Sequence, residues 1–117
     1  MRIAVAFSLL LLACGGSSSP QGPVQLQITA AGINPRTITI PSGVQVSFVN
    51  KDTASHQITS NDCAELSSQA LATDQSFTSA PLTGPKTCNF NDTVNQGASF
   101  AGTVTVLQPG VDGGSGY

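Results

Sequence analysis

The residues of this chain that can carry chemistry are few enough to name. Its 117 residues hold one histidine, His56, three cysteines, Cys14, Cys63 and Cys88, one methionine and no tryptophan. His56 lies in "NKDTASHQITSNDC", after a Val/Phe-rich stretch and seven residues before Cys63. An imidazole near a thiol raises two chemistries: a transition-metal centre of nitrogen and sulfur donors, or a reactive thiolate. A thiolate wants cations around it, and although Lys86 is two residues from Cys88, nothing basic flanks Cys63. A serine hydrolase is disfavoured, because no Gly-x-Ser-x-Gly elbow is present and the chain is too short for that fold. The acids that might pair, Asp62 with Glu65 or Asp52 with Asp92, read as solvated surface carboxylates in so small a domain.

The ends of the chain bound what lies between them. It starts with one basic residue, Arg2, and an apolar run from Ile3 to Leu12 that is too short to span a bilayer and has the form of a secretory signal. The run ends in Leu11-Leu12-Ala13-Cys14, which resembles the bacterial lipobox. That resemblance implies cleavage before Cys14 and a diacylglyceryl thioether on it, so that residues 1–13 are removed and the protein is held to the membrane by several acyl chains. Gly15 follows, not the Asp that retains many such proteins at the inner membrane, which turns the expectation toward the outer membrane. Residues 14–23 then read as the lipidated cysteine and a flexible Gly/Ser/Pro-rich tether, and residues 108–117 as a disordered tail. One small domain, 24–107, fits between them.

Without the signal, Arg36, Lys51 and Lys86 stand against Asp52, Asp62, Glu65, Asp74, Asp92 and Asp112. This sparse, mildly acidic balance argues against nucleic acid as a partner and against a polybasic membrane patch. The lipid on Cys14 is the membrane contact, and no protein partner can be named from the sequence. With Cys14 lipidated in an exported protein, Cys63 and Cys88 are an even pair in an oxidising compartment. A disulfide between them is expected to add roughly 3–4 kcal/mol; the rival reading leaves two free thiols.

Apolar residues alternate in "VQLQITA" (Val24, Leu26, Ile28), "TITI" (Ile38, Ile40), "VQVSF" (Val44, Val46, Phe48) and "GTVTVL" (Val104, Val106). Period-two alternation of β-branched residues predicts strands that bury one face. Turn signals at Asn34-Pro35, Pro41-Ser42-Gly43, Leu82-Thr83-Gly84-Pro85 and Asn95-Gln96-Gly97 separate them. The pattern predicts an all-β sandwich or barrel, with a short turn of helix within Cys63 to Ala72.

The segment "INPRTITIPSGVQVSFVNKDTASHQI" resembles the N-terminal half of a cupredoxin, the plastocyanin-like copper fold, with Pro35, Ile38, Ile40, Gly43, Val44, Val46, Phe48, Asn50, Asp52 and His56 in the matching places. "FAGTVTVL" is similar to the family's closing Met-x-Gly-x-Val-x-Val strand. The resemblance implies a Greek-key β-sandwich in which His56 is the first copper ligand and a loop before the last strand supplies a Cys, a second His and a Met. Two imidazoles, a thiolate and a weak axial thioether are what a blue-copper centre requires. In "CNFNDTVNQGASFAG", Cys88 to Gly102, there is no histidine, and Phe100 stands at the place of the Met. Some bacterial relatives carry Cys-x-x-His-Asp-His in this loop, paired with a Cys after the first His. "CNFNDT" is similar, with Asn91 and Thr93 at the two His positions and Asp92 retained, and this too implies a Cys63–Cys88 disulfide.

The expectation is therefore a lipid-anchored cell-envelope module of cupredoxin-like fold, not an enzyme, that serves for binding or as a scaffold after loss of the blue-copper site. The alternative is a copper-binding or electron-transfer protein using His56 with non-standard ligands, Asp92 and Asn91, in a vestigial nitrogen-and-oxygen site. A plainer reading makes His56 a partly exposed loop histidine bonded to its neighbours. The sequon Asn91-Asp92-Thr93 is a chance match in a chain with a bacterial lipobox.

Overall fold

The structure is a computed structural model and describes residues 22–110. The signal segment, Cys14 with nearly all of the tether, and tail residues 111–117 lie outside the described residues. Eight strands follow in chain order: β1 (Val24–Thr29), β2 (Gly32–Asn34), β3 (Thr37–Ile40), β4 (Val46–Asn50), β5 (Ile58–Thr59), β6 (Ser76–Thr78), β7 (Lys86–Asp92) and β8 (Ala101–Val106). They form two four-stranded sheets, β2-β1-β4-β6 and β3-β8-β7-β5. Both are mixed: β1 runs parallel to β4 and β3 parallel to β8, while the remaining pairs are antiparallel. The chain changes sheet at every step from β2 to β7, so the core is closed by crossovers and the β-sandwich expectation holds.

Alternation decides what is inside. Leu26 and Ile28 of β1, Val46 and Phe48 of β4, Cys88 and Phe90 of β7, and Val104 and Val106 of β8 face one another between the sheets, almost wholly buried. The Phe48 and Phe90 rings meet edge to face across this layer, with centroids 5.2 Å apart. Val44 lies just outside β4 and forms a single bridge to Leu82.

One segment departs from the sequence reading. The loop expected over Cys88 to Gly102 begins instead as a strand, β7, which runs from Lys86 to Asp92 and pairs with β8 from Lys86 to Asn91. Its buried positions are Cys88, Phe90 and Asp92, so the apolar alternation is only two residues long and ends in an inward-facing acid. Between Cys63 and Ala72 the expected short turn of helix is present, as the single 3-10 turn Ala64–Leu66. The serines that follow hold strand neighbours: Ser67 Oγ accepts from the Ser60 N–H and Ser68 Oγ from the Ile58 N–H.

The β1–β2 turn requires a glycine. Gly32 adopts φ +139°, and a Cβ there would stand 2.8 Å from the Ser99 side chain. The β1–β2 turn is thereby free to lie against the segment leading into β8.

Candidate functional site: a histidine between two carboxylates

The His56 site is assembled where β4 ends and β7 ends, and Asn50 builds its frame. This side chain, fully buried at the end of β4, donates from Nδ2 to the carbonyls of Ala54 (2.8 Å) and Leu71 (2.7 Å). Its Oδ1 accepts from the Asp52 N–H at 2.8 Å. The 50–56 loop is thus folded around one carboxamide whose donors and acceptor are all used. His56 is fixed next, by mutual backbone bonds with Leu71: His56 N–H to Leu71 C=O at 3.0 Å and Leu71 N–H to His56 C=O at 2.7 Å.

Both ring nitrogens of His56 face carboxylates. Nδ1 is bonded to Asp92 Oδ2, and Nε2 lies 2.8 Å from Asp52 Oδ2. His56 is 2% exposed and Asp92 is fully buried. An ionised carboxylate only accepts, so with both acids ionised both ring nitrogens donate and the ring is held as an imidazolium. Burial pushes its pKa down, but the bonds to Asp52 and Asp92 and their charge outweigh this and raise it above the ordinary 6.5. Asp52 is held below the usual carboxylate value, first by its bond to His56 and against the effect of burial. Asp52 is further tied through Oδ1, which accepts from Thr53 N–H at 2.7 Å, and through its carbonyl, which accepts from Thr73 Oγ1 at 2.7 Å.

Asp92 is equally committed. Its Oδ1 accepts from Val94 N–H (2.8 Å) and Gln57 N–H (3.3 Å), stitching the end of β7 to β5 and to the turn beyond. Phe100 covers one face of the imidazolium, the two rings stacked with centroids 5.4 Å apart and planes 12° from parallel. The site is therefore one buried cation, two carboxylates and an aromatic lid.

Several sequence expectations change here. Asp92 and Asp52 are not solvated surface acids, because an imidazolium holds both. His56 is hydrogen-bonded, as the plainer reading had it, but it is buried and not partly exposed. Asn91 is not beside it: neighbouring residues on a strand face opposite ways, so with Asp92 inward Asn91 points to the outer face of the sheet. Asp52 was missed as a site residue, although its four-residue spacing to His56 was the available signal. Asp62 and Glu65 do not form a carboxylate pair. Asp62 accepts from the backbone and side-chain N–H groups of Asn89, and Glu65 pairs with Lys86 at 3.1 Å.

Cys63 and Cys88 form a disulfide with Cα atoms 5.5 Å apart, both buried. The Glu65–Lys86 pair links the same two segments two residues away, so the loop after β5 is pinned to β7 twice. Neither sulfur is available as a thiolate.

The sequence profile of the cupredoxin-like domain family matches residues 2–110. The chain belongs to that family. Solved structures agree in fold. A purple cupredoxin from Nitrosopumilus maritimus is 23% identical with a TM-score of 0.61, over 72% of this chain and 99% of that one. Plastocyanin from Dryopteris crassirhizoma is 24% identical, also at 0.61, over 72% and 100%. A copper-containing nitrite reductase from Thermus scotoductus reaches 0.67 at 19% identity, over 84% of this chain, which spans only 25% of that enzyme. No curated protein matches. Among the described residues of this cupredoxin-like chain, no three His, Cys, Asp or Glu side chains converge on a point that could hold a metal ion. Asp52 and Asp92 approach His56 from opposite edges of its ring and so cannot share an ion with it.

Proposed function

We propose that this chain is a lipid-anchored cell-envelope cupredoxin-like protein, held through Cys14, whose domain works as a non-enzymatic binding or scaffold module without a blue-copper centre. The observation that carries the reading is that both nitrogens of the one histidine in this sequence are engaged by carboxylates. The donor set does not fit blue copper. A second imidazole is missing from the sequence, Cys88 is tied to Cys63, and Phe100, which by sequence resemblance takes the place of the family's Met, stacks on His56 and offers no thioether. A blue-copper metal would need the His56 Nδ1 or Nε2 lone pair, each of which carries a proton directed at an acid.

The test is a Cu(II) titration of the oxidised full chain followed by visible absorption. The reading expects no intense thiolate-to-copper band and no saturable binding at His56. An intense band in the red would establish a thiolate ligand and refute it. A weak band lost in His56→Ala would instead favour the rival reading, a nitrogen-and-oxygen copper site. The anchor is tested separately: metabolic labelling with a palmitate analogue should mark the chain and fail in Cys14→Ser.

A further inference from the structure

A cavity with a volume of about 610 Å³ lies on the outer face of the β3-β8-β7-β5 sheet, away from His56. Its floor is polar. Asn89 and Asn91 point outward from β7 and Thr103 from β8, directly across from Asn89, to whose Oδ1 it donates at 3.0 Å. Asn61 and Asp62 rise at one side and Arg36 at the other.

Much of this polarity is unspent. Arg36 gives one guanidinium donor, Nη1, to the Ala98 carbonyl at 2.9 Å, which fixes its position and leaves the rest of a five-donor fork. Asp62 takes both Asn89 bonds on Oδ2, at 3.0 and 2.9 Å, and its Oδ1 faces no donor among the described residues. The Asn91 carboxamide makes one long bond, 3.5 Å, to the Asp92 carbonyl. Polar groups in an open cleft that are oriented by internal bonds yet keep donors and acceptors free fix the orientation of a ligand that offers both.

The geometry points to this cleft as a binding site for an acidic oligosaccharide, its hydroxyls held by Asn61, Asp62, Asn89 and Asn91 and its carboxylate by Arg36. Planar carboxamides and a carboxylate each present two adjacent polar atoms, which match neighbouring hydroxyls of a sugar ring as donor and acceptor. Arg36 is the single cation of the cleft and suits one carboxylate. A nucleic acid, with a phosphate at every residue, would require several cations. The apolar surface of the cleft comes from small residues, Ala98, Ala101 and Gly102, and its one aromatic residue, Phe90, is 2% exposed, so an extended apolar ligand would find no large side chain to pack on. The site is separate from His56: Asn91 and Asp92, adjacent in β7, serve opposite faces of the sheet.

The experiment is an NMR titration of the isotope-labelled full chain in detergent micelles with cellobiouronic acid, which carries a single carboxylate, read at the side-chain amides of Asn61, Asn89 and Asn91, with cellobiose as the neutral control. Saturable shifts at these amides are expected, with affinity reduced about tenfold or more in Arg36→Gln and for cellobiose. Asn91→Ala, an outer-face change that breaks no backbone pairing, should weaken binding while leaving the backbone spectrum of the remaining strands in place. The absence of saturable shifts at the cleft amides overturns the proposal. So does equal binding of the neutral sugar, or an Arg36→Gln or Asn91→Ala variant that binds as the parent does.

Discussion

Replacing Asp92 in two ways separates a buried ion pair from a merely well-packed polar cluster. Asp92→Ala removes acceptors from three donors at once: His56 Nδ1, Gln57 N–H at 3.3 Å and Val94 N–H at 2.8 Å. It also leaves the buried imidazolium with one carboxylate in place of two. Removing one partner of a buried charged pair costs about 3–5 kcal/mol, so that loss is expected in urea unfolding followed by circular dichroism. Asp92→Asn keeps the shape. Its Oδ1 can still accept from Gln57 and Val94, and its Nδ2 can donate to a neutral His56 whose Nε2–H donates to Asp52. Every bond then has a partner and only the charge is gone, which should cost about 1–2 kcal/mol, the difference between a charge-assisted and a neutral hydrogen bond. The reasoning is refuted if Asp92→Ala unfolds within about 1 kcal/mol of the parent, or if the asparagine variant is as unstable as the alanine variant.

The same charges set a pH dependence. His56 has a raised pKa in the folded protein, so its contribution is complete below 6.5 and is lost as pH rises through the folded value. Asp52 has a lowered one, so its contribution is complete above 3.8 and is lost as pH falls through the folded value. Unfolding midpoints should therefore be highest in mildly acidic buffer and fall on the alkaline side, a fall that His56→Gln should abolish. Reduction of Cys63–Cys88, or Cys63→Ala with Cys88→Ala, opens a loop with a sequence separation of 25, and should cost about 3.5 kcal/mol by chain entropy. Gly102→Ala would drive a methyl into the Arg36 carbonyl and to 2.6 Å from the Phe90 ring. Disturbing the β3–β8 pairing in this way should cost about 2–3 kcal/mol in the same unfolding assay.

The sequence made the sandwich legible wherever burial and hydrophobicity coincide, as in β1, β3, β4 and β8. It hid β7, because Cys88 and Phe90 make an alternation only two residues long and the third inward position, Asp92, is held there by His56 and not by hydrophobicity. His56 was found as a site by its uniqueness and its place after β4, and the disulfide by counting cysteines. The partners of His56 were only half legible. Asp92 was named as a metal-directed donor when its carboxylate in fact meets the ring nitrogen itself, and Asp52 was passed over because an exposed loop acid looks the same in sequence as one folded onto an imidazole. Asn91 was assigned to the wrong face, since its direction follows from strand pairing that begins before the supposed loop. The role of Asn50 as the frame of the 50–56 loop depends on carbonyls at Ala54 and Leu71, one of them far along the chain, and nothing local signals it.

The central claim is that His56 is closed to a metal because each of its nitrogens holds a proton against a carboxylate. Nitrogen-15 NMR of the His56 ring in the oxidised full chain, recorded at mildly acidic pH with and without equimolar Cu(II), reads this directly. The account predicts two protonated ring nitrogens and a spectrum unchanged by copper beyond nonspecific broadening. A ring with one unprotonated nitrogen, or selective loss of the His56 signals on adding copper, would contradict it.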